Sequence, residues 1–189
     1  DNGFRHITTR NKPVRSVEDL EGVKIRCLPT PVHIAFFKAL GAAPTPIDWV
    51  ELYDALRTGV VDAQENPPAM VHTARFYEVQ KYYSLSGHVN EPGMFILSKK
   101  IYDNLPEELK LAVDIAARKA TLWERRECYK DNQKMLKSLE EAGMEINKIP
   151  QGTIDEFRRI AHEKVYPEVI DKFGPIGEEL VDLFIWANR

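Results

Sequence analysis

The chain has 189 residues, of which 43% are apolar and 29% charged, an ordinary globular composition that excludes a disordered or collagen-like chain. Lys and Arg nearly balance Asp and Glu, giving a formal charge of −3, so no global field draws nucleic acid or an anionic membrane. No apolar run approaches the roughly 20 residues a membrane helix needs, and the length suits one domain or two small ones.

The first predicted element is a short helix opened by a capping box, Ser16-Val-Glu-Asp19, and ending near Gly22. A strand follows over Val23–Cys27, closed by Leu28-Pro29-Thr30-Pro31. From Pro31 to Leu40, the residues Val32, Ala35, Phe36, Ala39 and Leu40 share one helical face, with Gly41 at the C′ position. Pro44-Thr45-Pro46 reads as an extended connector. Asp48-Trp-Val-Glu51 reads as a second capping box, on a helix running to about Thr58 and stopping at Gly59. Val60 to Gln64 reads as a buried strand, and Pro67-Pro68 as another helix start. Strand followed by helix, three times in 70 residues, predicts an α/β fold with parallel pairing. Ligands in such sheets gather at the carboxyl ends of strands, here Arg26–Thr30 and Gln64–Pro67.

Two extended segments are predicted next, Tyr82–Ser86 and Val89–Ser98, punctuated by Gly87 and Pro92-Gly93. Residues 105–141 carry helix formers without internal Pro or Gly, and Gly143 stops them. As one helix they would span about 55 Å at about 1.5 Å per residue. That exceeds a small domain and predicts a helix that bends, breaks or bridges two domains. Met144–Ile149 reads as a strand and Thr153–Val165 as a helix, which Pro167 interrupts or kinks.

Common catalytic signatures are missing: no GxSxG elbow, GxGxxG or Walker loop occurs. His162-Glu163 begins like a zinc-protease motif, but Tyr166 stands where the second ligand belongs. No catalytic residue, metal site or cofactor is predicted. Cys27 and Cys128 form no CxxC motif and read as small buried or half-buried thiols, a bridge between them being undecidable from sequence. The basic residues between Arg118 and Lys137 alternate with Glu124, Glu127 and Asp131, the pattern of a solvated face rather than a nucleic-acid surface.

Three residues stand where an α/β sheet would hold a ligand. Arg26 lies in an apolar strand, where a guanidinium is costly unless it meets a carboxylate, whose geometry its planar fork matches. That carboxylate could belong to a ligand or to a neighbouring Asp or Glu. Asn66 precedes Pro67-Pro68, a position that simple turn chemistry also explains. Trp49 opens a helix and could equally be a core residue.

Together these residues carry a resemblance. The stretch Gly22-Val-Lys-Ile-Arg26, Pro29, Leu40-Gly41-Ala42, Pro44-Thr45-Pro46, Glu51-Leu52-Tyr53, Thr58-Gly59-Val60-Val61-Asp62, Gln64-Glu65-Asn66-Pro67 and Phe76-Tyr77-Glu78-Val79-Gln80-Lys81 resembles the substrate-binding proteins of tripartite ATP-independent periplasmic (TRAP) transporters, DctP type. Gly3-Phe4-Arg5, Gly87-His88 and Leu105-Pro106 extend the likeness over most of the chain. The resemblance implies a two-lobed, periplasmic-binding-protein-like α/β clamp that closes over a small organic acid by hinge motion. It also implies a periplasmic location, an export signal in the full-length precursor, and delivery to a membrane permease driven by an ion gradient. Arg26 is implied as the clamp on the ligand carboxylate, Asn66 as a hydrogen-bond partner and Trp49 as a packing face. Arg5 is implied as a supporting or second-carboxylate contact. Where members commonly carry Tyr-Ser-Pro, this chain has Asn90-Glu91-Pro92, so Asn90 and Glu91 are candidates for the ligand's far end. An acidic side chain there could favour a polar or amine-bearing acid, or could point away.

Two other classes compete: the effector-sensing clamp of a transcriptional or signalling regulator, and an enzyme built on the clamp, disfavoured by the missing nucleophile–base pair. The chain begins with Asp. Against the family pattern this predicts a piece of a longer protein, with the second lobe over 3–90 and 132–189 and a remnant of the first over 91–131. The long helix would bridge the lobes. Residues 91–131 should then expose an apolar face that drives oligomerisation, swapping or disorder.

Overall fold

The computed structural model describes residues 1–187. Six strands form one mixed sheet in the order β3-β2-β4-β1-β5-β6. They are β1 (Phe4–Thr9), β2 (Lys24–Cys27), β3 (Ala43–Pro46), β4 (Ala63–Asn66), β5 (Tyr82–Asn90) and β6 (Glu145–Lys148). β2 pairs in parallel with β3 and β4, as the repeated strand–helix pattern predicts. β1 is the exception, antiparallel to both β4 and β5. It therefore enters the sheet at the edge where its neighbours end.

Helices cover both faces. On one face α1 (Pro31–Ala39) and α6 (Gln151–Ile160) bury Phe36, Phe37, Phe157 and Ile160 against Ile7, Ile25 and Ala63. On the other, α2 (Trp49–Thr58), α3 (Pro68–Thr73) and the end of α5 (Glu107–Glu141) bury Leu52, Leu56, Val71 and Leu139 against Phe76 and Tyr83. β1, β2 and β4 feed the first core through Ile7, Ile25, Cys27 and Ala63, and β5 and β6 feed the second through Tyr83, Leu85 and Ile146.

Several local expectations shift. The Asp48 box does not form: Asp48 caps α2 without a side-chain hydrogen bond, and Gly59 closes the helix at φ 79°. Val60 to Asp62 is the return from that helix, not a strand. Val60 is exposed while Val61 is drawn under α2, so β4 starts only at Ala63. Pro44-Thr45-Pro46, read as a connector, is the parallel edge strand β3, where a missing N–H on the outer side breaks no ladder bond. Gly87 does not divide β5. It takes φ 53° within a register shift against β1, a bulge that lets one long strand turn. The second extended segment, Val89–Ser98, is not a strand of its own: β5 carries Val89 and Asn90, Glu91 still exchanges backbone hydrogen bonds with Asn2 and Gly3 at 2.9 and 3.0 Å, and no strand runs on over 92–98. Pro167 is accommodated by one π-helical turn over Ala161–Val165, after which α7 (Tyr166–Phe173) continues and α8 (Pro175–Ala187) packs on it.

The long helix is a single element of 35 residues, and its buried residues, Asn132 and Leu139, lie near its end. Upstream, Met94, Phe95, Ile96, Leu111 and Trp123 are exposed, as are Lys99–Asp103 (α4) at Ile101. Neither cysteine is bridged; Cys27 is buried and Cys128 partly so.

Candidate functional site

The carboxyl ends of β2, β4 and β5 and the amino end of the reversed β1 meet at one edge of the sheet. Arg26 pairs with Gln64 across β2 and β4, His6 with Asn66 across β1 and β4, and Phe4 with Asn90 across β1 and β5. The register thus gathers Arg5, Arg26, Glu65, Asn66, Asn90 and Glu91 at one edge.

Arg26 is 2% exposed, and its Nε donates to the Ile47 carbonyl at 2.9 Å. Among the described residues, its Nη1 is buried without a hydrogen-bond partner and no carboxylate forms an ion pair with it. The internal ion pair that could have explained a strand arginine is therefore absent here. Burial lowers the Arg26 pKa from its ordinary value, against the opposing pull of Glu65 and with help from the positive charge of Arg5. An unpaired buried donor is costly, more so when charged, which marks this guanidinium as prepared for an anion.

Arg5 has the opposite character. Its Nε and Nη2 grip Glu65 at 2.5 and 2.8 Å in a two-pronged pair, and Nη2 also donates to the Glu65 carbonyl at 2.6 Å. Nη1 donates to Glu91 at 2.7 Å. Burial works against the charge on Arg5, but the two carboxylates outweigh it and hold its pKa above the ordinary value. Burial alone would push the Glu65 carboxyl up; contacts with His88 and Arg5 instead pull it down to about 2. His88 Nε2 faces Glu65 at 3.3 Å, within ion-pair distance but off the line of a good hydrogen bond. The His88 ring stacks on Phe36 and meets Phe37 edge-on, each at 5.6 Å.

Asn66 is buried, and its amide donates to Gln64 at 2.5 Å while its carbonyl accepts from the Tyr83 hydroxyl at 3.0 Å. Trp49, 40% exposed, meets Phe76 edge-on at 5.5 Å and keeps an open flank. Asn90 is exposed and lines a cavity of about 340 Å³ with Phe4, His6 and Asn132. A larger hollow, about 430 Å³, lies at the opposite edge beside Arg10, Arg57 and Lys81. Its Arg57 and Lys81 are already paired, with Asp54 and Glu145.

Two residues that sequence reasoning passed over belong to this edge. Glu65 alternates with Gln64 and Asn66 and so points to the other face of β4, where Arg5 waits. His33, on the first turn of α1, holds Thr30 through Nδ1 at 2.7 Å; its Nε2 is buried and, among the described residues, unpartnered. Burial lowers its pKa from the ordinary value, against the pull of the Glu65 carboxylate. The residue types were visible, but only β1's reversal brings them together. Among the described residues, no group of three His, Cys, Asp or Glu is placed to hold a metal, and no helix is long and apolar enough to cross a membrane.

The family model of bacterial extracellular solute-binding proteins, family 7 (DctP), matches residues 1–172. The 2,3-diketo-L-gulonate-binding periplasmic protein YiaO of Escherichia coli is 38% identical over 77% of this chain and 44% of its own length. The C4-dicarboxylate-binding periplasmic protein DctP of Rhodobacter capsulatus is 34% identical over 96% of this chain and 53% of its own. A TRAP periplasmic solute-binding protein from Sulfitobacter, solved with bound β-D-galacturonate, superposes with a TM-score of 0.89 at 30% identity, over 96% of this chain and 59% of that one. The chain spans about half the length of the curated relatives it matches. Its sequence and its fold agree in one assignment: the chain belongs to the DctP family of bacterial extracellular solute-binding proteins.

Proposed function

We propose that this chain forms the carboxylate-binding part of a periplasmic TRAP-type solute-binding protein. It captures a small organic acid by hinge closure and hands it to the membrane subunits of an ion-gradient-driven permease, acting by binding and not by catalysis. The observation that carries this reading is the buried Arg26 Nη1, a cationic donor at the carboxyl end of β2 that has no hydrogen-bond partner among the described residues. In this reading Arg26 takes the ligand carboxylate, the Asn66 side chain hydrogen-bonds the ligand, and the open flank of Trp49 packs on it. Arg5 braces the edge from behind, and Asn90 and Glu91 stand toward the ligand's far end.

A thermal-shift panel of organic acids on the intact protein tests the proposal. A ligand at a hundred times its Kd should add about 2.7 kcal/mol by mass action. Carboxylates should raise the melting temperature by several degrees while their amides leave it unmoved. A panel in which no carboxylate does so sinks the reading.

We also propose the lobe division given above, 3–90 with 132–189 against 91–131. The exposed side chains of Met94, Phe95, Ile96 and Trp123 support it, since so large an apolar surface is normally covered by a partner. The chain by itself should associate through that face in light scattering. A monomer with amides 91–131 as protected from exchange as the sheet would refute the division.

A further inference from the structure

The two arginines at the sheet edge differ in what remains free on them. Arg26 spends Nε on a backbone carbonyl and keeps Nη1 buried and, among the described residues, unbonded. Arg5 has all three nitrogens engaged: Nε and Nη2 on Glu65, Nη1 on Glu91. Arg26 stands with Gln64 on one face of the sheet and Arg5 with Glu65 on the other, both at the edge where the carboxyl ends of β2 and β4 meet the amino end of β1. One guanidinium is therefore open to an anion, and the other is closed by two carboxylates of the protein itself.

Glu91 does the closing on the accessible side. The Glu65 side chain is fully buried, whereas Glu91 is 31% exposed and joins Arg5 through one oxygen, Oε2. A ligand carboxylate that reached for Arg5 would have to displace Glu91 or stand beside it. Like charges so placed in a partly desolvated site oppose binding strongly, and such built-in repulsion is how a site rejects a competitor. The same carboxylate welcomes a hydrogen-bond donor, such as a ligand hydroxyl.

We infer that the site reads a single carboxylate, and that Glu91 is the specificity-determining residue that turns a second one away. The ligand class is then a small monocarboxylate whose far end is neutral and donates hydrogen bonds, a hydroxy or sugar acid rather than a dicarboxylate. This rests on the proposed carboxylate-binding role of Arg26.

Calorimetry on the intact protein with matched acids tests it: D-galactonate against galactarate, and D-erythronate against meso-tartrate. Each pair shares its carbon chain and differs in the oxidation of one end. The monocarboxylate should bind at least 10-fold more tightly. Glu91→Gln, which keeps a carbonyl oxygen for Arg5, should narrow that gap at least 3-fold, chiefly by improving the dicarboxylate. Equal or tighter dicarboxylate binding in the wild type, or a gap unmoved by Glu91→Gln, overturns the inference while leaving carboxylate binding intact. If none of the four acids binds, the hydroxy- and sugar-acid class is overturned, and if no carboxylate of the wider panel binds either, the carboxylate reading falls with it.

Discussion

Replacing Arg26 with Ala should weaken carboxylate binding by about 2–5 kcal/mol, most of it from stranding the ligand's charge in a site that has excluded water. The expectation follows from what Arg26 does before any ligand arrives. Its strand, Lys24–Cys27, is apolar and buried at Ile25 and Cys27, so the side chain is held at the end of β2 with little freedom to leave. Its Nε is tied to the Ile47 carbonyl, which fixes the plane of the fork. A carboxylate meeting a fork so oriented loses little entropy in docking. Arg26→Lys should recover only part of the affinity, because an ammonium cannot offer two parallel donors while holding Ile47. Isothermal calorimetry on the intact protein measures the loss. Circular dichroism should show the sheet unchanged, since Arg26→Ala also removes an uncompensated buried donor. Affinity within a factor of two of wild type would remove Arg26 from the role.

Arg26 was legible in the sequence as a candidate, because a guanidinium in the mostly apolar strand Val23-Lys-Ile-Arg-Cys27, closed by Pro29, needs an anion wherever that strand lies. Whether a ligand or a neighbouring Asp or Glu supplies it was not legible there. The parallel pairing of β2 with β4 was legible through repeated strand–helix alternation and Gly stops, whereas β3 read only as a connector. What the sequence hid was long-range. Arg5 and Glu65 are 60 positions apart, and nothing in either neighbourhood declares their pairing. It depends on β1 running antiparallel to β4, in the register Ile7 to Glu65, which strand–helix alternation does not specify. His33 was masked differently. Nothing in its helix marks it out, and only its buried Nε2, unpartnered among the described residues, sets it apart. The edge of β4 was misread because Val60-Val61 has strand propensity, yet α2 captures Val61 and leaves Val60 in solvent. Burial against a helix overrode local preference there.

The same Arg5–Glu65 pairing makes acid the condition to which this fold should be most sensitive. Glu65 titrates at about 2 in the folded protein against 4.5 ordinarily. Its ionised form is favoured by folding, so that contribution is complete above about pH 5 and disappears as pH falls through 2. A shift of that size corresponds to about 3 kcal/mol. His6 acts at higher pH with the same sign. Burial, reinforced by the charge of His88, lowers it to about 4 from 6.5. Its neutral Nδ1 accepts the Gly87 amide at 2.8 Å. Below about pH 6.5 the unfolded chain therefore takes up a proton that the folded chain refuses, and stability falls until about pH 4, again by about 3 kcal/mol. Urea denaturation should show a decline in unfolding free energy that begins near pH 6.5 and continues to pH 3. His6→Gln should flatten its upper part, because an amide can accept from Gly87 without titrating. Glu65→Gln should cost about 3–5 kcal/mol at pH 7, since it leaves Arg5 buried with only Glu91 as a counter-charge. Its acid profile below pH 4.5 should be correspondingly shallow. A stability that stays level from pH 7 to 4.5 in the wild type would mean that His6 is reached by water and that the edge is looser than its hydrogen bonds imply. An edge that loose could not hold the Arg26 fork in one plane, so the acid titration also probes the rigidity on which carboxylate capture depends.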